Sequence, residues 1–164
     1  MKQKPNNLDK ASATMILDKF KNILFQVEMV GKICDIPVRT LSNWDMKGVL
    51  PHQRRNDIEK WNTFNLHDLF LIKIIASLRS KNISIKDIKR FCDWLGAEDR
   101  ITSAVHKAIS GNQYIITDLQ NNYSIVSDTN FGDSALRMAE NAMFAFNLRP
   151  IIYPLTDELK KIKI

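Results

Sequence analysis

Pro37 and Gly48 constrain this 164-residue chain more than any other pair of positions. Proline suits the first position of a helix, where its missing N–H would be unpaired anyway. Glycine supplies the left-handed residue that ends one. Between them the sequence predicts a helix from about Pro37 to Lys47, with Asp35 placed to accept hydrogen bonds from its free amides. Val27 to Asp35 just upstream is long enough for two more helical turns. Two short helices, a tight turn, and a proline opening the second form the outline of a helix-turn-helix.

The flanking segments follow from periodicity and caps. Leu8 to Leu24 carries apolar residues at helical spacing, which predicts a short amphipathic helix. Pro51–Arg55 and Lys60–Phe64 flank a polar turn and read as a β-hairpin. Asn65 then caps a helix of about Leu66 to Lys81, with Leu66, Leu69, Phe70, the Lys73 stem, Ile74 and Leu78 on its apolar face. Ser84 and Asp87 resemble a capping box and open a helix that Gly96 closes. Glu98 to Ser110 reads as a helix, Tyr114–Leu119 and Tyr123–Ser127 as a hairpin, and 133–141 as helical. Met143 to Asn147 suits a third strand or a continuing helix. Pro150 and Pro154 are expected to break the tail before a basic helical turn from Leu155 to Ile164.

Charge and composition narrow the classes of function. Residues 1–95 carry a net charge of +7 and residues 96–164 a net of −1, so all the excess positive charge lies in the first part. A basic part joined to a neutral one suggests polyanion binding beside a second task. Apolar residues make up 45% of the chain, enough to bury a core. Cys34 and Cys92 are too few for a disulfide framework and too far apart for a metal clip, and both fall on apolar helix positions, where they read as packing residues. His52, His67 and His106 are scattered, so neither a metal nor another cofactor is expected. The longest apolar stretch, Leu69 to Ile72, stops at Lys73 and cannot span a membrane. The N-terminus does not read as a secretory signal, so a reduced, cytoplasmic protein is expected. With no Gly-rich phosphate loop, no zinc pattern and no Ser/His/Asp spacing, an enzyme is not expected. Asp118, Asp128 and Asp133 flank the second hairpin and read as turn residues.

Three blocks in register carry a resemblance. The first runs from Asp35 to Pro51 and contains Thr40-Leu41, the aromatic Trp44, the acidic Asp45 and the exit turn Gly48-Val49-Leu50. The second is Phe64-Asn65-Leu66-His67-Asp68-Leu69, and the third runs from Leu78 to Ile88. Together they resemble the mercury-resistance-regulator-like (MerR-type) transcription factors over Val27 to Leu95, less than half the chain. The resemblance implies a winged helix-turn-helix that binds pseudo-palindromic DNA as a homodimer. It departs from the family at Ser42 and Asn43, where an arginine and a tyrosine are usual, and in a wing that reads Lys60-Trp61-Asn62-Thr63-Phe64 without the usual arginine. Arg39, Lys47, Arg54, Arg55 and Lys60 are the candidates to replace those phosphate contacts.

In a helix-turn-helix the second helix enters the major groove. Leu41 and Trp44, three apart, share a face and pack inward at least in part; Trp44 is left open as core, as a contact to the sugar-phosphate backbone, or both. Arg39, Ser42, Asn43 and Lys47 then reach DNA, with Asn43 suited to adenine and Arg39 to guanine or phosphate. Thr40 joins the DNA-binding set from the family pattern. In the wing, Arg54, Arg55, Lys60 and Trp61 position the protein on phosphates. Tyr114, Tyr123, Phe131, Phe144 and Tyr153 in the tail stand either as core or as the lining of an effector pocket.

The expected fold is thus α+β and mainly helical: a winged helix-turn-helix followed by a small α/β part with an antiparallel hairpin. Residues 1–24 form an N-terminal extension, 25–95 the DNA-binding domain, and 96–164 a dimerisation or effector domain. The expected function is a sequence-specific, homodimeric transcriptional regulator of double-stranded DNA in the bacterial nucleoid, with RNA polymerase as a further contact and no membrane partner. Two alternatives stay open, an excisionase-like factor that bends DNA and a winged-helix adaptor for protein interactions. Activation or repression, the operator, any small-molecule effector and the role of the N-terminal helix are left undetermined.

Overall fold

The computed structural model describes residues 10–50, 63–96, 100–118, 122–138 and 144–162. Among these it is mainly helical, with two small antiparallel sheets. Helix α1 (Lys10–Phe20) ends before the expected Leu24, because the chain turns at Ile23, whose N–H meets the Phe20 carbonyl at 3.1 Å. Phe25 then stacks on Phe20 at 5.9 Å and opens a strand, β1 (Phe25–Gln26), that the sequence reading did not foresee.

Helices α2 (Val27–Cys34) and α3 (Val38–Met46) follow as the helix-turn-helix pair. The sequence expectation needs correction at the turn between them. Asp35 does not cap α3. It adopts the left-handed conformation (φ 55°) that terminates α2, with the Ile36 N–H reaching back to the Gly31 carbonyl at 2.9 Å. Pro37 is itself the N-cap of α3, and its carbonyl takes the Thr40 and Leu41 amides. Gly48, at φ 65°, ends α3 as expected.

Of the expected 51–64 hairpin, positions 51–62 lie outside the described residues. Strand β2 (Thr63–Phe64) is described, and it pairs antiparallel with β1, Phe25 opposite Phe64. Helix α4 (Leu66–Ser80) opens on a reciprocal capping box: the Asp68 amide donates to Asn65 Oδ1 at 3.0 Å, and the Asn65 amide donates to Asp68 Oδ2 at 2.8 Å. Its burial is wider than the single stripe read from the sequence. Leu71, Ile72 and Ile75 are buried as well, because α4 packs against α2, against α5 (Ile85–Gly96), α6 (Arg100–Ser110) and α8 (Arg149–Lys160). Only His67, Arg79 and Ser80, near its two ends, are exposed, and α4 sits at the centre of the packing of the described residues.

The C-terminal part is a three-stranded antiparallel sheet in the order β4-β3-β5, from β3 (Gln113–Thr117), β4 (Tyr123–Ser127) and β5 (Phe144–Asn147). The β3–β4 hairpin forms as expected, with Ile115 opposite Ile125. Between β4 and β5 lies α7 (Asp128–Met138), which begins five residues before the expected 133. Of the expected third strand, Phe144–Asn147 forms as β5 and Met143 lies outside the described residues. Pro150 and Pro154 do not break the tail; both lie within α8. Pro150 falls in the first turn, where no N–H is needed. Pro154 forfeits a bond in the helix interior, and burial of Ile152, Leu155 and Leu159 in the common core outweighs that loss.

Candidate nucleic-acid interface

Helix α3 divides by face. Leu41 is 1% exposed and Trp44 6%, so the two residues three apart anchor the helix inward. Arg39, Asn43 and Lys47 are exposed on the outer face, Thr40 and Ser42 are half-buried at its flanks, and Met46 is 73% exposed. The Ser42 hydroxyl donates back to the Val38 carbonyl at 3.1 Å, which leaves its lone pairs to accept a bond from outside. Arg39, Asn43, Ser42 and Lys47 thus share the solvent side, while Trp44 lies in the core, behind the helix rather than on its outer surface. Arg54, Arg55, Lys60 and Trp61 lie outside the described residues.

The scaffold holds this face by contacts that no sequence pattern announces. Gly31 lies in α2 where the chain returns beneath it; a Cβ there would stand 2.9 Å from the Ile36 carbonyl oxygen, so only glycine lets the turn close. Lys73, from the middle of α4, donates to the Cys34 carbonyl at 2.7 Å and satisfies the exposed end of α2. At the other end of α3 the Val49 amide reaches Trp44 and the Gly48 amide reaches Asp45, at 3.0 and 2.8 Å. This double closure is a Schellman motif, and the buried pair Trp44 and Val49 supplies its apolar contact. Both ends of α3 are therefore tied into the scaffold. Sequence reasoning missed Gly31, Lys73 and the exposure of Met46. The first two act across the fold, and a methionine in a helix reads by default as core.

The thiols face inward. Burial pushes the Cys34 thiol up to about 12, with Lys73 pulling weakly the other way, and burial pushes Cys92 higher still. Such thiols are poor nucleophiles and poor ligands. Among the described residues no three His, Cys, Asp or Glu side chains gather as metal ligands. No helix among them is long and apolar enough to cross a membrane.

The tail aromatics are tied into packing. Tyr123 stacks on Trp94 at 5.1 Å and meets Phe91 at 5.9 Å; Tyr114 meets Phe131 at 4.6 Å. The Tyr114 hydroxyl bonds to Asp128, which raises its pKa above the usual phenol value, since the neutral form is the donor. Tyr153 donates to the Ile109 carbonyl at 3.3 Å under the Arg149 guanidinium. Phe144 is 43% exposed on the edge strand. An open groove of about 490 Å³ runs along the C-terminal end of α6, lined by His106, Lys107, Asn112 and Asp128 among others. No aromatic of the tail lines it.

Residues 25–94 match the family described as MerR HTH family regulatory protein. Searches of curated proteins and of solved structures returned no match.

Proposed function

We propose, from the premise that residues 25–94 form a MerR-type helix-turn-helix domain, that this protein is a sequence-specific, DNA-binding transcriptional regulator and not an enzyme. It reads the major groove with the helix predicted at 37–47 and clamps phosphates with the 51–64 wing. The observation that carries this reading is the division of α3: Leu41 and Trp44 hold it from within while Arg39, Asn43 and Lys47 stand outward in one plane of approach. Asn43 pairs with adenine and Arg39 with guanine or phosphate. Lys47, with Arg54, Arg55 and Lys60, and with Trp61 interleaved in the same stretch of sequence, positions the protein on the backbone. Thr40 and Ser42 bound the reading face, and Trp44 sets its height from behind.

The protein acts as a homodimer, because one helix-turn-helix covers too little duplex for its site to stand out from a genome. Residues 96–164 supply the dimer or effector surface and residues 1–24 an extension of the binding domain. Its place is the cytoplasm, on the nucleoid, with RNA polymerase as a further contact.

Fluorescence anisotropy with duplexes from the gene's own upstream region, against a scrambled duplex and across a salt series, tests this. A regulator binds one fragment preferentially, with a log–log salt slope of roughly −5 if about six phosphates are neutralised per dimer. Equal affinity for every duplex would instead identify an architectural, DNA-bending factor. No binding at low salt would leave a protein-interaction adaptor.

A further inference from the structure

Six large apolar side chains stand exposed among the described residues, and three of them, Met29, Val38 and Met46, lie on the two helices of the helix-turn-helix. Met46 is the most exposed of the six, at 73%. At about 100° per residue, Arg39, Asn43 and Met46 fall within an arc of about 60° on the outer face of α3. Val38 falls outside that arc. Met46 therefore extends the polar stripe, seven residues on from Arg39 and three on from Asn43. At about 1.5 Å per residue the stripe is roughly 10 Å long, or about three base-pair steps.

In the major groove three of the four bases present only donors and acceptors to a side chain, whereas thymine adds a methyl group. Arg39 and Asn43 suit the polar edges. A flexible thioether on the same line has nothing polar to offer and one apolar group to meet. We propose that Met46 is a specificity-determining residue that packs on the C5-methyl of a thymine next to the bases faced by Arg39 and Asn43. The proposal rests on the reading of α3 as the recognition helix, and it adds thymine at one defined step to what that helix selects. The occupant is duplex DNA, because Arg39 and Lys47 on the same exposed face are complementary to phosphate.

The test isolates the methyl group. Duplexes enriched from a random pool by the full-length protein supply a bound sequence, and each thymine in it is then replaced singly by uracil, which lacks only the methyl. Affinities are measured for the wild type, Met46→Ala and Met46→Leu, with thermal melts alongside; Met46 is at the surface, so neither change is expected to alter the fold. One thymine-to-uracil change per half-site weakens the wild type about three- to five-fold, the loss expected for one buried methyl. Met46→Ala binds thymine as weakly as the wild type binds uracil and does not distinguish the two, while Met46→Leu still does. Persistence of every uracil effect in Met46→Ala, or no uracil effect in the wild type, overturns the role of Met46 and leaves DNA reading by α3 intact. Failure of the wild type to enrich any duplex overturns that underlying reading as well, and it is seen before any variant is compared.

Discussion

Asn43 and Trp44 are neighbours in sequence, one exposed and one buried on α3, so their substitution separates two properties that most mutations mix. Trp44 is a core side chain whose loss leaves a cavity behind α3. Trp44→Ala is expected to cost about 3–5 kcal/mol of stability, read as a shift of the urea midpoint with an unchanged slope. Trp44→Phe, which keeps an aromatic ring at the site, costs clearly less. Asn43 is exposed, and Asn43→Ala is expected to change stability by no more than about 0.5 kcal/mol. If it contacts adenine in a bidentate pair, the same change costs about 1–3 kcal/mol of affinity for the cognate duplex and little for a scrambled one. Equal losses on both duplexes would move Asn43 from reading bases to holding phosphates. Part of this split was readable in advance: Leu41 and Trp44, three residues apart, share a face that packs inward at least in part, but whether Trp44 belonged to the core or to the sugar-phosphate backbone stayed open, and its burial decides for the core. What could not be read was Gly31, because the carbonyl that forbids a side chain there belongs to the turn that follows and approaches only once α2 has ended.

Helix ends show where local chemistry is legible and where it stops. Among the described residues three helices finish on a left-handed residue, α2 on Asp35, α3 through Gly48 and α4 through Asn82, each with the following amide reaching back into the last turn. Only Gly48 was foreseen, since glycine names the conformation and Asp or Asn merely tolerates it. The difference predicts opposite responses. Gly48→Ala places a Cβ at φ 65° and should cost about 1 kcal/mol, the left-handed strain less the entropy removed from the unfolded chain. Asn82→Gly, at φ 61°, should alter stability by less than about 0.5 kcal/mol. Thermal melts of the two variants decide it; a large loss in Asn82→Gly would mean that the asparagine side chain does more than accept its backbone. The caps at Asn65 and Ser84 were equally legible, because each joins a capping side chain to the amide three residues on. Strand β1 was not. Two residues cannot display alternation, and its pairing partner, Thr63–Phe64, lies far along the chain. The same non-local cause hid the helix through Pro154, where a local rule against proline yields to a buried face.

The whole molecule is held by one core, and two of its properties follow from that. Cys34 and Cys92 are buried with raised pKa values, so each stays protonated in the folded state when its unfolded counterpart, near the ordinary value of 9, has ionised. The unfolded chain then binds fewer protons, and stability is fully present below about pH 9 and falls above it. Urea unfolding at pH 7 and at pH 10 is expected to show this loss, smaller in a Cys92→Ala variant than in the wild type once its cavity cost at pH 7 is subtracted. The second property concerns how residues 96–164 relate to what precedes them. Phe91, on α5, meets Trp94, Tyr123 and Phe146 with ring centroids 6.0, 5.9 and 5.8 Å apart, so α5 packs on two strands of the tail. From the other side α8 lies on α4, and α1 lies on both α6 and α8. Elements that share a core lose it together, and unfolding is expected as a single transition in which far-ultraviolet dichroism and tryptophan fluorescence coincide. Phe91→Ala should lower that one midpoint by about 3–5 kcal/mol of stability without splitting it. Two transitions would instead make 96–164 an independently folding unit tethered to a helix-turn-helix. With one transition, anything that binds the tail and favours one arrangement of its sheet acts on the same packed network that carries α4 and, through Lys73 and Cys34, the turn in front of α3.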